Sequence, residues 1–117
     1  ILVDAPCSGL GTLRRHPDLK DRVTPETVAR LAATQIRLLR EALDLCKSGG
    51  LVVYSVCTFT RQETVEVTEA ILEEGLCTPE DGPELLSTWK TAKGQYQTDP
   101  HDAALDGFYL MRFRKRS

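Results

Sequence analysis

The fold is decided by ILVDAPCSGLG (residues 1–11), an apolar run that ends in an acid and continues into a glycine-rich turn. Ile1, Leu2 and Val3 carry no charge, and two of them are β-branched, which favours a strand covered on both faces. Asp4 ends the run, and the proline and glycines that follow interrupt regular structure. The stretch therefore predicts a buried parallel strand that leads into a turn.

A long amphipathic helix and a second strand are predicted after this turn. Residues 12–23 are polar and basic and predict a loop or a short irregular helix. Thr24 is placed as the N-cap of a helix that the glycine pair 49–50 ends. Its apolar stripe consists of Val28, Ala32, Ile36, Leu39, Leu43 and Cys46, widened by Leu31, Leu38, Ala42 and Leu45. The uncharged, β-branched sequence LVVYSV (51–56) predicts the second strand.

The rest of the chain predicts a second helix, a long loop and a last strand. The helix spans about 61–74, and Gly75 ends it. Residues 76–106 contain three prolines and two glycines and predict a loop with one short strand near 85–89. FYLMRF (108–113) alternates as an antiparallel strand at or near a sheet edge does. This order of elements is typical of an open α/β sheet with right-handed crossovers.

The composition is that of one globular domain. Of the 117 residues, 41% are hydrophobic and 27% are charged, and the net charge is −2. No apolar run approaches the roughly 20 residues of a membrane span, and no signal peptide is recognisable, so we expect a cytoplasmic protein without a membrane partner. The four cysteines are then expected to be reduced thiols, and we expect no metal site.

Asp4 and two cysteines are expected on one rim of the predicted sheet. Asp4 and Cys7 follow the first strand, and Cys57 follows the second. Ligands of open α/β sheets bind at the carboxyl ends of the strands, so the sequence predicts a site with one carboxylate and two thiols. Cys57 also precedes a helix start, where unpaired backbone N–H groups favour an anion. It is therefore the better candidate for a reactive thiolate.

Structural interpretations of these residues stay open. A cysteine at the end of a strand is usually a small buried hydrophobe, and an aspartate there can cap the turn. Cys46 and Cys77 are expected to be packing or bystander residues. Trp89, Tyr96 and Tyr109 could stack on a nucleic-acid base, although core packing is the default for such side chains.

The two cysteine segments resemble those of a known enzyme family. DAPCSG (4–9) and YSVCT (54–58) are similar to two motifs of the Sun/Fmu family of RNA cytosine-5 methyltransferases, which includes the RsmB-like and NSUN proteins. RRHPD (14–18), Gln35 and DGFY (106–109) resemble further family features in the same order. The resemblance covers most of the chain. It implies a Rossmann-like class I methyltransferase fold and the cofactor S-adenosylmethionine.

The resemblance also implies a role for each residue of the rim. Cys57 matches the nucleophile, which adds to carbon 6 of cytosine so that carbon 5 can accept a methyl group. Cys7 matches the cysteine linked to product release, and Asp4 matches the aspartate that helps bind S-adenosylmethionine. The expected partner is RNA, with ribosomal RNA favoured. Three basic residues are candidate contacts to RNA phosphates, with a solvated loop as the alternative: Arg14, Arg15 and His16.

Residues 1–117 are expected to be only part of such a domain. The family's glycine-rich cofactor loop has no counterpart here, which predicts the C-terminal half: parallel strands, crossover helices and a closing antiparallel strand. In isolation it is expected to bind S-adenosylmethionine weakly or not at all, to be inactive and to self-associate through an unpaired strand edge. Val56 replaces the usual threonine before the nucleophile, and of the acidic run after it only Glu63 is kept. The alternative function is therefore a catalytically inactive RNA-binding or assembly module of the same fold.

Overall fold

One mixed β-sheet organises the part of the chain that the computed structural model describes, residues 1–98 and 105–117. Its strands are β1 (Leu2–Asp4), β2 (Leu51–Val56), β3 (Cys77–Pro79), β4 (Lys90–Ala92), β5 (Gln95–Gln97) and β6 (Tyr109–Lys115). The α-helices are α1 (Leu19–Arg22), α2 (Pro25–Leu45) and α3 (Val65–Glu73). Short 3₁₀ helices cover Leu10–Thr12, Arg61–Glu63 and Glu84–Trp89.

The unit β1–α2–β2 sets the position of the predicted rim. β1 and β2 pair in parallel, with Asp4 opposite Ser55 in the register, so both strands end at the same level. The crossover helix α2 begins where the sequence predicts, because the Thr24 hydroxyl accepts a hydrogen bond from the backbone N–H of Thr27 at 3.1 Å. The predicted parallel first strand, long helix and second strand are confirmed. The predicted burial of the first strand is wrong, because β1 is an outer strand of the described sheet and Leu2 is 68% exposed.

The last strand, β6, runs antiparallel as predicted, but its predicted place at or near a sheet edge is wrong. The strand order is β1-β2-β6-β5-β4, and β3 also pairs with β6. β6 therefore lies between β2 on one side and two short strands on the other, with β5 beside its first half and β3 beside its second. Segments predicted as loop supply the strands that cover its outer edge.

The predicted short strand at 85–89 is also wrong. Residues Glu84–Trp89 form a 3₁₀ helix, and the strands β4 and β5 follow it as a hairpin. Leu85, in the predicted strand, is 85% exposed. The hairpin turns at Gly94, whose φ of +73° is a conformation that favours glycine. Of the loop predicted over 76–106, residues 99–104 lie outside the described residues.

The core lies between the sheet and the helices α2 and α3. Alternate residues of β2 and β6 are buried, which places Tyr54 and Tyr109 edge to face with ring centroids 6.3 Å apart. The predicted stripe of α2 is correct except at Leu45, which is 83% exposed, whereas the next residue, Cys46, is buried. Gln35 is instead fully buried. In the ranges 1–98 and 105–117, no helix is long and apolar enough to cross a bilayer.

Candidate active site

The Cys7 and Cys57 thiols lie side by side at the carboxyl ends of β1 and β2. Their sulfur atoms are 3.4 Å apart, within hydrogen-bond distance for sulfur, and both side chains are half-buried. The parallel register brings them together, because Asp4 and Ser55 are partners in the ladder and the two segments leave the sheet at the same level. The site thus holds one free thiol from each segment.

Burial and the neighbouring thiol hold the proton on Cys7. Desolvation is the largest cause and, with the hydrogen bond and charge of Cys57, raises the pKa of Cys7 to about 12. Backbone N–H groups of Gly9 and Cys57 act in the opposite direction. At neutral pH Cys7 is therefore a neutral thiol, able to donate its S–H to the Cys57 sulfur. A thiolate at Cys57 would strengthen that hydrogen bond.

Asp4 lies at the last position of β1 and is exposed. Its carboxylate has no hydrogen bond or ion pair with another described residue. An exposed carboxylate on the rim suits a hydroxyl or amino group of a cofactor, so Asp4 fits one contact of S-adenosylmethionine.

Glu63 is a central residue of the site that the sequence analysis did not select. Its side chain is fully buried in the 3₁₀ helix before α3. Oε1 accepts from the Ser8 N–H at 2.7 Å and from Gln35 Nε2 at 3.2 Å. Oε2 accepts from the hydroxyls of Ser8 at 2.7 Å, Thr58 at 3.1 Å and Thr60 at 2.7 Å. One carboxylate therefore contacts both cysteine-bearing segments.

A sequence signal for Glu63 was present in the pattern Thr60-x-x-Glu63. Threonine at an N-cap with glutamate three residues later is a capping box. Thr60 does accept from the Glu63 N–H at 3.3 Å, but the carboxylate also reaches across to the Cys7 segment. Only the tertiary structure reveals that second set of partners. Gln35 joins the same network by donating to the Pro6 carbonyl at 3.0 Å.

A third segment, Asp106 and Gly107, contacts the chain that follows Cys7. The Gly11 N–H donates to the Cys57 carbonyl at 2.9 Å, and the Gly107 N–H donates to the Gly11 carbonyl at 2.7 Å. Arg15 forms an ion pair with Asp106 at 2.6 Å. The basic residues Arg14, Arg15 and His16 are all exposed.

A cavity of about 450 Å³ lies beside these segments. Leu10, Leu13, Arg14, Phe59 and Asp106 are among its lining residues. Phe59 is two residues beyond Cys57 and is 41% exposed. The lining of this cavity thus includes an aromatic ring and a guanidinium group.

Other candidate residues of the sequence analysis are buried or half-buried away from the two thiols. Tyr96 and Tyr109 are buried, as core packing requires, and Trp89 is half-buried on the 3₁₀ helix. Cys46 is buried at the end of α2. Cys77 is buried in β3 rather than placed in a loop.

Val56, the residue before Cys57, lies in β2. Val56 packs into the hydrophobic core with none of its side chain exposed, so its methyl groups face the interior.

Among residues 1–98 and 105–117, no three histidine, cysteine or acidic side chains converge as a metal site would require.

Comparison with known proteins identifies relatives over nearly the whole chain. The family model described as 16S rRNA methyltransferase RsmB/F matches residues 1–114. A probable ribosomal RNA small subunit methyltransferase B of Bacillus subtilis is 41% identical over 124 aligned positions, which cover 99% of this chain and 27% of that protein. Ribosomal RNA small subunit methyltransferase B of Thermus thermophilus is 42% identical, covering 98% of this chain and 29% of its own length. The chain thus spans less than a third of these relatives.

Solved methyltransferase structures also superpose on nearly the whole of this chain. NSun6 from Pyrococcus horikoshii, crystallised with SFG, superposes with a TM-score of 0.84 and is 26% identical; the match covers 100% of this chain and 30% of that one. A methyltransferase homolog from the same organism superposes with a TM-score of 0.77 and is 27% identical, covering 98% of this chain and 38% of its own. These neighbours have Rossmann-like methyltransferase folds, and the fold predicted from the sequence is confirmed.

Proposed function

Because the chain belongs to the 16S rRNA methyltransferase RsmB/F family, we propose that it is part of an enzyme that methylates carbon 5 of cytosine in RNA. Ribosomal RNA is the proposed substrate, since the curated relatives are ribosomal RNA methyltransferases, and the cytoplasm the proposed location. One observation carries the cytosine-5 chemistry: the two thiols from separate segments, 3.4 Å apart on the rim of the sheet.

The first chemical step that this site supports is addition of the Cys57 sulfur to the base. Carbon 5 of cytosine is a poor nucleophile until a thiolate bonds to carbon 6 and the double-bond electrons move toward carbon 5. Cys57 is half-buried at the rim, where a base swung out of its stack could reach it. The neutral Cys7 thiol can donate its S–H to the Cys57 sulfur, since the two sulfur atoms are 3.4 Å apart.

S-Adenosylmethionine, when bound, supplies the methyl group that carbon 5 accepts. Asp4 is the residue of this chain proposed to contact it, because that carboxylate is exposed at the end of β1. The solved neighbour NSun6 was crystallised with SFG, an analogue of S-adenosylmethionine, which supports the choice of cofactor. The rest of its binding site is proposed to come from the larger protein.

The second step that the chain supports is release of the product. A base takes the proton from carbon 5, the electron pair restores the double bond, and the bond from carbon 6 to sulfur breaks. The Cys57 sulfur then leaves as a thiolate. Cys7 is proposed to assist because its sulfur lies 3.4 Å from the Cys57 sulfur. Its S–H can therefore stabilise the negative charge that forms on Cys57 as the bond to carbon 6 breaks.

The proposed test uses the full-length protein that contains this chain. It is incubated with S-adenosylmethionine and RNA carrying 5-fluorocytosine, whose fluorine blocks the final elimination, and protein–RNA adducts are separated on a denaturing gel. We expect an adduct that persists in Cys7→Ala and is absent in Cys57→Ala. An adduct lost only in Cys7→Ala would exchange the two roles, and no adduct with any cellular RNA would favour the inactive binding module.

The same assay separates the proposed binding residues. Asp4→Asn is expected to raise the concentration of S-adenosylmethionine needed for half-maximal adduct formation without changing that for RNA. Joint replacement of Arg14 and Arg15 by alanine is expected to weaken RNA binding and to reduce its salt dependence, because two phosphate-contacting charges are lost. Unchanged RNA affinity in the double variant would leave this loop as a solvated surface.

A further inference from the structure

The Glu63 carboxyl group is buried and has neutral hydrogen-bond partners. Its side chain is fully buried, and the five donors around it are one backbone N–H, one amide and three hydroxyls. Two of these donors, Ser8 N and Gln35 Nε2, cannot accept in return, which suits an ionised acceptor. A buried charge is costly, so a site that only had to fill space would favour an apolar side chain.

The partners of Glu63 are the residues that directly follow the two cysteines. Ser8 follows Cys7 and Thr58 follows Cys57, and both hydroxyls donate to the same oxygen, Oε2. The two hydroxyl oxygens are also 2.8 Å from each other. The separation of the two thiols is therefore linked to the position of one carboxylate oxygen.

The sheet itself does not control that separation. The paired residues of β1 and β2 end at Asp4 and Ser55, and the last hydrogen bond of their ladder runs from Ala5 N–H to the Ser55 carbonyl. The cysteines lie beyond this ladder, where a backbone hydrogen bond from Gly11 N–H to the Cys57 carbonyl also joins their segments. Glu63 belongs to a separate 3₁₀ helix and binds both segments past the point where the ladder stops.

We infer that Glu63 is a positioning residue whose buried carboxylate holds the Cys7 and Cys57 segments at the separation that the two-thiol reaction needs. The inference rests on the proposed function, since it concerns the same two thiols. Catalytic groups displaced by about 1 Å can lose about 100-fold in rate, so loosening this link is expected to reduce turnover strongly.

The decisive variant is Glu63→Gln in the full-length protein. Glutamine has nearly the same shape, and its oxygen can still accept from Ser8 N–H and Gln35 while its N–H₂ group faces the three hydroxyls. The charge is lost, and the hydroxyls of Ser8 and Thr58 no longer converge on one acceptor. We expect kcat to fall about 10- to 100-fold, with the KM for RNA changed less than about threefold.

A matched control and a second variant isolate the effect. Glu74→Gln removes a carboxylate that pairs with Arg40 on the surface, and it should leave kcat unchanged. Thr58→Val keeps the Glu63 charge and the side-chain shape but removes one link, and it should lower kcat in the same direction. If Glu63→Gln does not fold, Thr58→Val still tests the inference.

Bridging of the two thiols by phenylarsine oxide provides a readout that needs no methyl transfer. Two thiols replace the oxide oxygen, forming two arsenic–sulfur bonds and one molecule of water. We expect bridging of Cys7 to Cys57 in the parent protein and at least about tenfold weaker bridging in Glu63→Gln. Alkylation of the buried Cys46 and Cys77 should stay slow in both proteins.

The outcomes separate this inference from the proposed function. If the parent protein forms no RNA adduct but Glu63→Gln loses thiol bridging, the proposed reaction is wrong and the positioning role stands. Unchanged kcat and bridging in both Glu63→Gln and Thr58→Val would overturn the inference. Rapid alkylation of Cys46 and Cys77 together with the loss of activity would also overturn it, because Glu63 would then support the fold as a whole.

Discussion

The Cys7 side chain is predicted to react as a thiol of high pKa. A group with a pKa of about 12 is ionised in about one molecule in 10,000 at pH 8, against about one in ten for a thiol with the ordinary pKa of 9.0. Desolvation is the largest cause and remains when Cys57 is replaced. In Cys57→Ala, alkylation of Cys7 by iodoacetamide should therefore keep rising from pH 8 to pH 11.

Mass spectrometry of the labelled peptides measures this rate, and the same protein in urea provides the control because its thiols are solvated. A plateau of Cys7 labelling below pH 10 in the folded protein would contradict the prediction. Cys7 would then be an ordinary thiol, and a role as the neutral donor to the Cys57 sulfur would lose its basis.

Individual residues show where sequence reasoning was sufficient and where it was not. Cys7 and Cys57 could be placed together because parallel strands end on one side of a sheet. Glu63 could not be selected, because its partners Ser8 and Gln35 lie 55 and 28 residues away in sequence. A local pattern such as the capping box reports the nearest partners only.

At the level of elements, the contact of three segments at Gly11 predicts a strict need for glycine. A Cβ at Gly11 would lie 2.0 Å from the Gly107 carbonyl oxygen and 2.9 Å from the Cys57 carbonyl oxygen. Gly11→Ala must therefore push apart the segments that surround the thiols. We expect a loss of about 1–3 kcal/mol in stability and reduced adduct formation by Cys57.

Gly82→Ala is the matched control, because a Cβ there meets the flexible Arg112 side chain at 3.3 Å. Urea unfolding of the full-length variants gives the comparison. Equal midpoints for Gly11→Ala and Gly82→Ala would show that the three segments are not packed as closely as these distances require.

The elements also show why β6 was assigned to an edge. Its alternation of buried and half-buried residues is a property of one strand and says nothing about its neighbours. The neighbours β3 and β5 are three residues each, too short to produce a periodic signal between prolines and glycines. Long elements such as α2 and β2 were predictable for the opposite reason.

At the level of the whole molecule, the two edges of the sheet differ in character. The outer strand β4 carries Lys90, and Lys93 follows it in the turn, which discourages pairing with another strand. The outer strand β1 begins with an exposed apolar residue: Leu2 is 68% exposed, and Ile1, just before the strand, is 52% exposed. Among the described residues, β1 pairs only with β2. The chain spans less than a third of its curated relatives.

An isolated polypeptide of residues 1–117 is therefore predicted to self-associate through β1. Backbone groups of successive residues in a strand point alternately to its two sides. Ile1 and Ala5 form backbone hydrogen bonds with β2, so the backbone N–H and C=O of Leu2 point to the opposite side, which is the open edge. Leu2→Lys should favour the monomer, because a charged edge resists pairing. Leu45→Lys adds the same charge at an 83% exposed position on α2 and should leave association unchanged. Sedimentation velocity over a range of concentrations measures the self-association of each variant. If Leu2→Lys and Leu45→Lys weaken self-association equally, the contact is a general hydrophobic one and does not involve the open edge of β1.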